Sequence, residues 1–297
     1  MVPSPEIALA VDVGGTKIEA ALVARDGAVT RRNRIATGGD DADALFERVV
    51  DVIGELRHAP VTVCGVGCGG PMTPGGELVS PLNIGQWRRF PLRARLHDLL
   101  GVEVHVDNDA KAFALAEGWL GAAAGLANFI AMVVSTGVGG GIVLDGRLLE
   151  GETGNAGHIG HIVVEPDGFA LPGHVRGVLE AEASGTAIAA ITGAPARDAT
   201  PEVVERTGRM VGRAVGSVAN LLDLRLAVVA GSVALGFGAP FFAAAQAEID
   251  RVADLDHSRG MRIVPAGLGG EGPLVGAAAV GFRGRGFDPL TWEAQHT

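Results

Sequence analysis

Two glycine-rich loops, each placed between two apolar strands, constrain the fold of this chain more than any other feature. The first copy, LAVDVGGTKIEAALV, spans residues 9–23, and the second, FIAMVVSTGVGGGIV, spans residues 129–143. An Asp-Gly pair follows each copy, and such pairs favour tight hairpin turns. Because loops with few side chains let backbone N–H groups close on an anion, two facing copies are expected to clamp a polyphosphate. This layout is typical of an ATP-dependent phosphotransferase built from two related halves.

Composition and charge place the chain among acidic globular proteins. Its 297 residues, of which 47% are hydrophobic, are enough for two α/β domains with cores of their own. The net charge of −10 argues against a nucleic-acid partner and against an anionic membrane surface, since both need a basic patch. Cys64 and Cys68 lie in an apolar stretch and predict reduced core residues. No basic leader precedes the first apolar segment, so the chain is expected in the cytoplasm.

One uncharged segment, residues 226–245, is long enough to span a bilayer. Gly231, Gly236, Gly238 and Pro240 interrupt it, and these residues break regular structure. The segment is therefore predicted to form a short strand, a glycine turn and the start of a helix.

Strand and helix patterns alternate in the first part of the chain. Apolar residues at helical spacing predict helices over 41–56 and 110–120. Short apolar runs predict strands over 61–64 and 102–106. The chain is therefore expected to have a βα organisation.

A run of small residues at 121–128 is interpreted as a boundary between two domains, 1–121 and 122–297. The alternative that the C-terminal helix returns to the first domain stays open. In the second domain, Thr200 as cap and Pro201 at the first helical position predict a helix that runs toward Leu222. The other elements expected there are a helix from about Leu179, strands over 226–230 and 261–264, and a helix after Pro273.

Two segments match the Gly-x-Gly-x-x-Gly dinucleotide pattern, one starting at Gly65 and one at Gly267. After the first, Pro71 and Pro74 prevent the helix that the pattern requires, and the second lies too close to the C-terminus for a complete βαβ unit. A nicotinamide enzyme is therefore not expected. The chain also lacks a Gly-x-x-x-x-Gly-Lys-[Ser/Thr] segment, which excludes a P-loop nucleotide site.

Six motifs, spread in order over nearly the whole chain, are similar to those of the ROK family (repressors, open reading frames and kinases). They are DVGGTK at 12–17, NDA at 108–110, STGVGGG at 135–141, AGHIGH at 156–161, LEAEASG at 179–185 and VAGSV at 229–233. The resemblance implies an α/β protein with the actin-like ATPase (ribonuclease H-like) fold, two domains and an interdomain cleft. It also implies a bacterial-type sugar kinase, expected to be a homodimer, that uses ATP and Mg²⁺ to phosphorylate the 6-hydroxyl of a sugar.

Candidate catalytic and sugar-binding residues lie in and around these motifs. Asp109 is predicted to accept the proton of the sugar hydroxyl that attacks the γ-phosphorus, a role that needs a carboxylate on a rigid strand end. The alternative is that Asp109 only caps the following helix. Asn83 and Asn108 are predicted to hydrogen-bond sugar hydroxyls, although loop asparagines often only form turns. The resemblance adds four further substrate-binding residues, Gly70, His158, His161 and Glu180.

The ATP and Mg²⁺ site is assigned by resemblance. Asp12, at the end of the first strand, is similar to the carboxylate that holds Mg²⁺ in the family, often through water. Lys17 is predicted to pair with phosphate, with a solvated loop lysine as the alternative. Gly231 and Leu274 are expected beside adenine. The residues expected to line the phosphates are Gly14, Gly15, Thr16, Thr136, Gly137 and Gly139.

The chain departs from the family at its zinc site. Where the family usually places three zinc-binding cysteines, this chain has Leu171, Gly173 and Val178. A structural zinc needs about four ligands, and His174 is the only second nitrogen ligand available beside His161. No structural zinc is therefore expected, and the means by which His161 is held stays open.

A second departure concerns specificity. Glucokinases of the family commonly carry a glutamate where this chain has His158, whereas the run AGHIGH matches bacterial N-acetylmannosamine kinases. An imidazole offers one donor and one acceptor, so it changes which sugar substituent is bound. Three substrates stay open: N-acetylmannosamine, glucose or mannose, and an amino-glucose such as kanosamine.

Besides a kinase, the family resemblance raises two other functions. A catalytically weak sugar-binding sensor stays open as the alternative. A sugar-responsive repressor would carry a winged helix-turn-helix before the kinase-like part. It is not expected, because the first phosphate loop begins at Asp12.

Overall fold

The computed structural model describes residues 6–291 of the chain. These residues form two compact units. The first contains the described residues up to Gly125, the segment Glu150–Ala156 and the described residues from Leu268 onward. The second contains Leu126–Leu149 and Gly157–Gly267. Each unit is therefore built from segments that are distant in the sequence.

Both units are mixed α/β structures. In chain order the strands are β1 (Ile7–Val13), β2 (Lys17–Ala24), β3 (Val29–Ala36), β4 (Val63–Cys68), β5 (Val104–Asn108), β6 (Phe129–Val134), β7 (Val138–Leu144), β8 (Arg147–Leu148), β9 (Leu226–Ala230) and β10 (Arg262–Pro265). The α-helices are α1 (Ala42–Ile53), α2 (Leu92–Leu100), α3 (Asp109–Trp119), α4 (Leu179–Ala183), α5 (Gly185–Thr192), α6 (Pro201–Leu222), α7 (Ser232–Phe237), α8 (Ala239–Val252) and α9 (Gly272–Gly284).

The two sheets share one topology. The sheet of the first unit has the order β3-β2-β1-β4-β5, and that of the second has the order β8-β7-β6-β9-β10. In the first sheet β1, β2 and β3 are antiparallel neighbours, while β1, β4 and β5 are parallel. The second sheet repeats this with β6, β7 and β8 antiparallel and β6, β9 and β10 parallel. The repeated glycine loop of the sequence thus belongs to a repeated supersecondary structure.

Both predicted glycine-loop hairpins are confirmed. β1 pairs with β2 up to Val13 opposite Ile18, and β6 pairs with β7 up to Val134 opposite Val138. Asp145 and Gly146, which connect β7 to β8, both have positive φ, as two-residue hairpin turns require. The loops that join β1 to β2 and β6 to β7 therefore consist of only a few residues.

The core strands β4 and β5 run further toward their carboxyl ends than the apolar runs predict. β4 continues through Gly65 and Gly67, although glycine weakens a strand interior. Gly65 is required there because α9 packs directly on the strand: an added Cβ would lie 1.9 Å from the carbonyl oxygen of Ala277. Both strands therefore end beside the candidate site residues.

The predicted helices are present, with two corrections. α6 begins at Pro201 as expected, but the side chain of Thr200 makes no capping hydrogen bond to the helix. The helix from Leu179 is not continuous, because Ser184 ends α4 and caps α5 by accepting a hydrogen bond from the Ala187 N–H at 3.0 Å. The apolar segment 226–245 forms β9, α7 and the first part of α8. Among the described residues, no helix combines the length and apolarity needed to cross a bilayer.

Candidate active site

The carboxyl ends of the three parallel strands of the first unit bring Asp12 and Asp109 together. Asp12 in β1 lies opposite Gly67 in β4, which in turn lies opposite Asp107 in β5, two residues before Asp109. A Cβ added to Gly67 would lie 3.6 Å from both Asp12 Oδ1 and the Cα of Asp109. Only a glycine backbone therefore separates the two acidic residues, at the edge where open α/β sheets bind ligands.

The burial of Asp12 and the proximity of a second carboxylate make this acidic pair electrostatically costly. Burial, and then the negative charge of Asp109, raise the pKa of Asp12 to about 7, while Lys17 acts in the opposite direction. Desolvation by the surrounding protein also raises the pKa of Asp109 above its ordinary value, although Asp109 itself keeps exposed surface. Mg²⁺, which the family resemblance implies, prefers carboxylate oxygens and would neutralise such a pair. The donor set therefore fits a divalent cation at Asp12.

The start of α3 fixes Asn108 and Asp109. Asn108 Oδ1 accepts hydrogen bonds from the N–H groups of Ala110, at 3.0 Å, and Lys111, at 3.3 Å. Asn108 is thus the N-cap, and Asp109 is the first residue of the helix, with its Oδ1 accepting from the Ala110 N–H at 2.9 Å. The capping role that was the alternative for Asp109 belongs to its neighbour. The Asp109 carboxylate is held at a rigid strand-to-helix junction.

The first glycine loop meets two candidate sugar-binding loops. The Gly14 N–H donates to the carbonyl of Lys17 at 3.0 Å, which closes the turn. A Cβ on Gly15 would lie 3.0 Å from the Cβ of Asn83, so little room is left for a side chain at this close approach. The carbonyl of Gly70 accepts from the N–H of Leu82, the residue before Asn83, at 3.1 Å. Gly15, Gly70 and Asn83 therefore lie close together, beside the exposed Thr16.

A buried carboxylate that the sequence did not single out organises the cations near this loop. Glu19 lies directly opposite Asp12 across the β1–β2 hairpin, and its side chain has no exposed surface. It forms an ion pair with Lys17 and accepts two hydrogen bonds from Arg32, at 2.6 and 3.1 Å. Burial acts to raise the pKa of Glu19, but the hydrogen bonds from Lys17 and Arg32 outweigh it and the pKa is lowered. The sequence did contain a signal for this carboxylate, because Glu19 is an acidic residue inside an otherwise apolar part of β2.

The second glycine loop lies against the start of α5. The carbonyl of Ser135 accepts from the Gly185 N–H at 2.7 Å, and the carbonyl of Thr136 accepts from the Thr186 hydroxyl at 2.9 Å. The Ser135 N–H donates to the carbonyl of Gly137 at 2.9 Å, which closes the loop before Gly139 in β7. The loop is therefore held rigidly, as an anion-binding loop must be.

The two predicted adenine residues have different environments. Gly231 precedes α7 with φ of 102°, and an added Cβ would lie 2.2 Å from the carbonyl oxygen of Val134. This position requires glycine. Leu274 lies on α9 of the first unit with no exposed surface. A role for either residue beside adenine stays a prediction.

The two histidines of the AGHIGH motif project from a segment that packs on β7. A Cβ on Gly157 would lie 2.4 Å from the carbonyl oxygen of Gly140, and one on Gly160 would lie 2.3 Å from that of Val138. The His158 and His161 ring centroids are 5.9 Å apart. Glu180 is fixed to the same strand, because its Oε2 accepts from the Val138 N–H at 2.5 Å. His158, His161 and Glu180 are thus held by one strand.

Similarity to known proteins identifies the family of this chain. A family model described as the ROK family matches residues 8–282. The chain belongs to the ROK family. It is 34% identical over 246 residues to the N-acetylmannosamine kinase of Citrobacter koseri, a match that covers 77% of this chain and 84% of that protein.

Solved ROK structures have the same fold. A ROK family glucokinase from Streptomyces griseus, solved with glucose and AMPPNP, superposes with a TM-score of 0.82 at 27% identity, covering 93% of this chain and 99% of that one. A ROK hexokinase from Thermus thermophilus gives a TM-score of 0.80 at 30% identity, covering 95% and 100%. The fold of this ROK protein is therefore the actin-like ATPase fold.

The positions of the family's zinc-binding cysteines do not fit a metal in this ROK protein. Leu171 and Val178 are buried and form a small apolar cluster with Ala181 and Ala187. Gly173 offers no ligand atom. Apolar side chains cannot replace the thiolates of a four-ligand zinc site. The residues present therefore do not fit the structural zinc of the family.

Metal analysis tests the prediction that this protein lacks the structural zinc of the family. Protein purified without chelator and then dialysed should contain far less than one zinc per chain, because the cysteine ligands are absent. Its melting temperature should not change after treatment with a zinc chelator followed by return to Mg²⁺ buffer. Stoichiometric zinc that survives dialysis would contradict this prediction.

Proposed function

We propose that this protein is an ATP-dependent sugar kinase that transfers the γ-phosphoryl group to the 6-hydroxyl of a hexose, an amino hexose or an N-acetylamino hexose. The observation that carries the proposal is the close approach of the buried Asp12 and the exposed Asp109 beside the first glycine loop. Phosphoryl transfer needs a carboxylate base, a divalent cation and backbone N–H groups around the phosphates. The family membership and the kinase relatives support the same reaction.

In this proposal Asp109 accepts the proton of the 6-hydroxyl as its oxygen attacks the γ-phosphorus. A pKa raised by desolvation makes Asp109 a better base than a fully hydrated aspartate, while Asn108 fixes the helix start that carries it. Backbone N–H groups of the two glycine loops bind the phosphates of ATP. Mg²⁺, when held by Asp12, supplies positive charge that stabilises the charge developing on the phosphoryl oxygens. The pairing of Lys17 and Arg32 with Glu19 keeps two cations close to this loop.

Each unit contains candidate groups for sugar recognition. In the first unit Asn83, Asn108 and the Gly70 backbone offer amide and carbonyl groups to hydroxyls. In the second unit His158, His161 and Glu180 do so, with Glu180 already fixed by Val138. We propose N-acetylmannosamine as the first substrate to test, because the AGHIGH run and the Citrobacter koseri relative both favour it. Glucose or mannose and kanosamine-like sugars follow.

A coupled ADP-release assay over hexoses, amino sugars and N-acetylamino sugars tests the proposed function. ATP and Mg²⁺ are held constant, and each sugar is compared with a no-sugar control. At least one sugar of these classes should stimulate ADP release by orders of magnitude. Sugar binding measured by calorimetry without ADP release would instead identify a sugar sensor.

Replacement of His158 with Glu tests its predicted role in specificity. If the preferred sugar carries a nitrogen substituent, the ratio of kcat/KM for glucose to that for the preferred sugar should rise. The change expected of one polar contact is about 5- to 150-fold, or about 1–3 kcal/mol. The exposed His58→Glu serves as a matched control. An unchanged ratio in the His158 variant would place specificity elsewhere, most reasonably around Gly70 and Asn83.

A further inference from the structure

His174 occupies the place between two substituted cysteine positions and contacts two of the three candidate sugar-binding residues of its unit, His161 and Glu180. Its imidazole stacks on His161, with ring centroids 5.7 Å apart and an interplanar angle of 19°. Its Nε2 lies 3.5 Å from Glu180 Oε1. The His174 side chain is only 17% exposed, so these contacts are largely shielded from water. One side chain therefore touches both His161 and Glu180.

These contacts continue to the backbone of β7. Glu180 Oε2 accepts the Val138 N–H, while Glu180 Oε1 faces His174. Both carboxylate oxygens of Glu180 are thus engaged, one by the strand and one by the imidazole. His161 is consequently connected to β7 through His174 and Glu180.

The segment that carries His174 has anchors that need no metal. Leu171 and Val178, on either side of His174, pack with Ala181 and Ala187. Glu182, which has no exposed surface, accepts a hydrogen bond from the N–H of Phe169 and forms an ion pair with Arg206 of α6. Burial of apolar groups and a paired buried carboxylate give the segment a fixed conformation.

We propose that His174 is a positioning residue that holds His161 and Glu180 in place for sugar binding, in the role that a zinc ion has in relatives with the three cysteines. The inference rests on the proposed sugar kinase function. Ligand atoms of His161, His174 and Glu180 lie within 4.8 Å of one another, so a bound metal is the competing explanation. The engagement of both Glu180 oxygens by protein groups favours the metal-free arrangement.

Kinetics of His174 variants test the proposal. His174→Ala, which removes both contacts, should raise the KM for the sugar about 10- to 100-fold, a loss typical of a group that orients ligand-binding residues. The KM for ATP should change less than about twofold, since the mutation leaves the glycine loops intact. Val175→Ala, at the neighbouring and 66% exposed position, is the control and should behave as the wild type.

Two further variants separate the contacts of His174. His174→Phe keeps a ring to stack on His161 but cannot donate to Glu180, whereas His174→Gln can donate but does not stack. Each should recover part of the affinity for the sugar that His174→Ala loses. A variant damaged only in folding would show lower kcat, or lower active-enzyme concentration, with unchanged KM values.

The outcomes distinguish the positioning role from the proposed function. An active wild type combined with an unchanged sugar KM in His174→Ala would overturn the role of His174 alone. Stoichiometric transition metal in the wild type that is lost in His174→Ala would overturn it in favour of a metal site. A wild type that neither binds nor phosphorylates any sugar would overturn the proposed function, and the positioning role with it.

Discussion

Replacement of Asp109 with Asn should lower kcat by about 10²- to 10⁴-fold, the contribution expected of a general base. Asparagine is almost the same size and can occupy the first position of α3, but its amide cannot accept the proton of the sugar hydroxyl. Asn108 still caps the helix in the variant, so the junction that carries residue 109 is preserved. The loss should therefore appear in kcat and not in the KM for ATP. Steady-state kinetics with the best sugar of the screen measure it.

Two controls make the Asp109 result specific. Asp98→Asn, at an exposed position of α2, should keep normal kinetics. Nucleotide binding and the urea unfolding midpoint of Asp109→Asn should show a folded protein that still binds ATP. Turnover near that of the wild type in a folded Asp109→Asn protein would exclude Asp109 as the base.

Replacement of Asp12 with Asn should abolish most activity and yet stabilise the protein in the absence of Mg²⁺. The pKa of Asp12 is raised from 3.8 in a model peptide to about 7 in the fold, so the folded state binds its proton more tightly than the unfolded state does. For such a group, stability is greatest below the unfolded pKa and is lost as the pH rises through 7. At pH 8 the ionised carboxylate should destabilise the wild type by up to about 4 kcal/mol.

Urea unfolding of both proteins with a chelator present, at pH 5 and pH 8, measures this effect. The variant should be the more stable by about 1–4 kcal/mol at pH 8, and the difference should shrink toward pH 5. Added Mg²⁺ should stabilise the wild type and leave Asp12→Asn unaffected, because binding to the folded state alone shifts the equilibrium. Asp40→Asn, at an exposed site, should follow the wild type. Equal Mg²⁺ stabilisation of the Asp12 variant would place the cation elsewhere.

The elements that the sequence predicted best are those specified by local signals. The tight turn between β7 and β8, which follows the second glycine-loop hairpin, depends on the adjacent pair Asp145-Gly146, whose positive φ the structure contains. α6 begins at Pro201, where the proline fixes the first helical φ, and it ends at Leu222 as its apolar spacing predicts. Such signals do not depend on the rest of the fold.

Features that depend on tertiary contacts were missed or displaced. β3 carries three exposed arginines and no alternating apolar pattern, because it is an edge strand that pairs only with β2. β4 continues through Gly65 because α9, from the far end of the chain, packs directly on that glycine. The pairing of Arg32 with Glu19 needed β3 to lie beside β2, which no short-range pattern specifies.

The same distinction applies to the candidate site. The sequence shows that cysteines are absent at Leu171 and Val178, but only the fold shows that these side chains pack together with Ala181. Asn108 and Asp109 were singled out from their motif, yet only the backbone at the start of α3 shows that Asn108 is the residue that caps the helix. The motifs therefore identify the candidate site residues, whereas the contacts of each residue are known only from the fold.

The central claim is transfer of the γ-phosphoryl group of ATP to the 6-hydroxyl of a sugar, and the ³¹P NMR spectrum of the product tests it most directly. The purified protein is incubated with ATP, Mg²⁺ and the sugar that gives the fastest ADP release. A sugar phosphate signal split into a triplet by the two C6 protons, formed in step with ADP, is the predicted result. A doublet from a single ring proton would contradict transfer to the 6-hydroxyl, and inorganic phosphate as the sole product would contradict sugar phosphorylation.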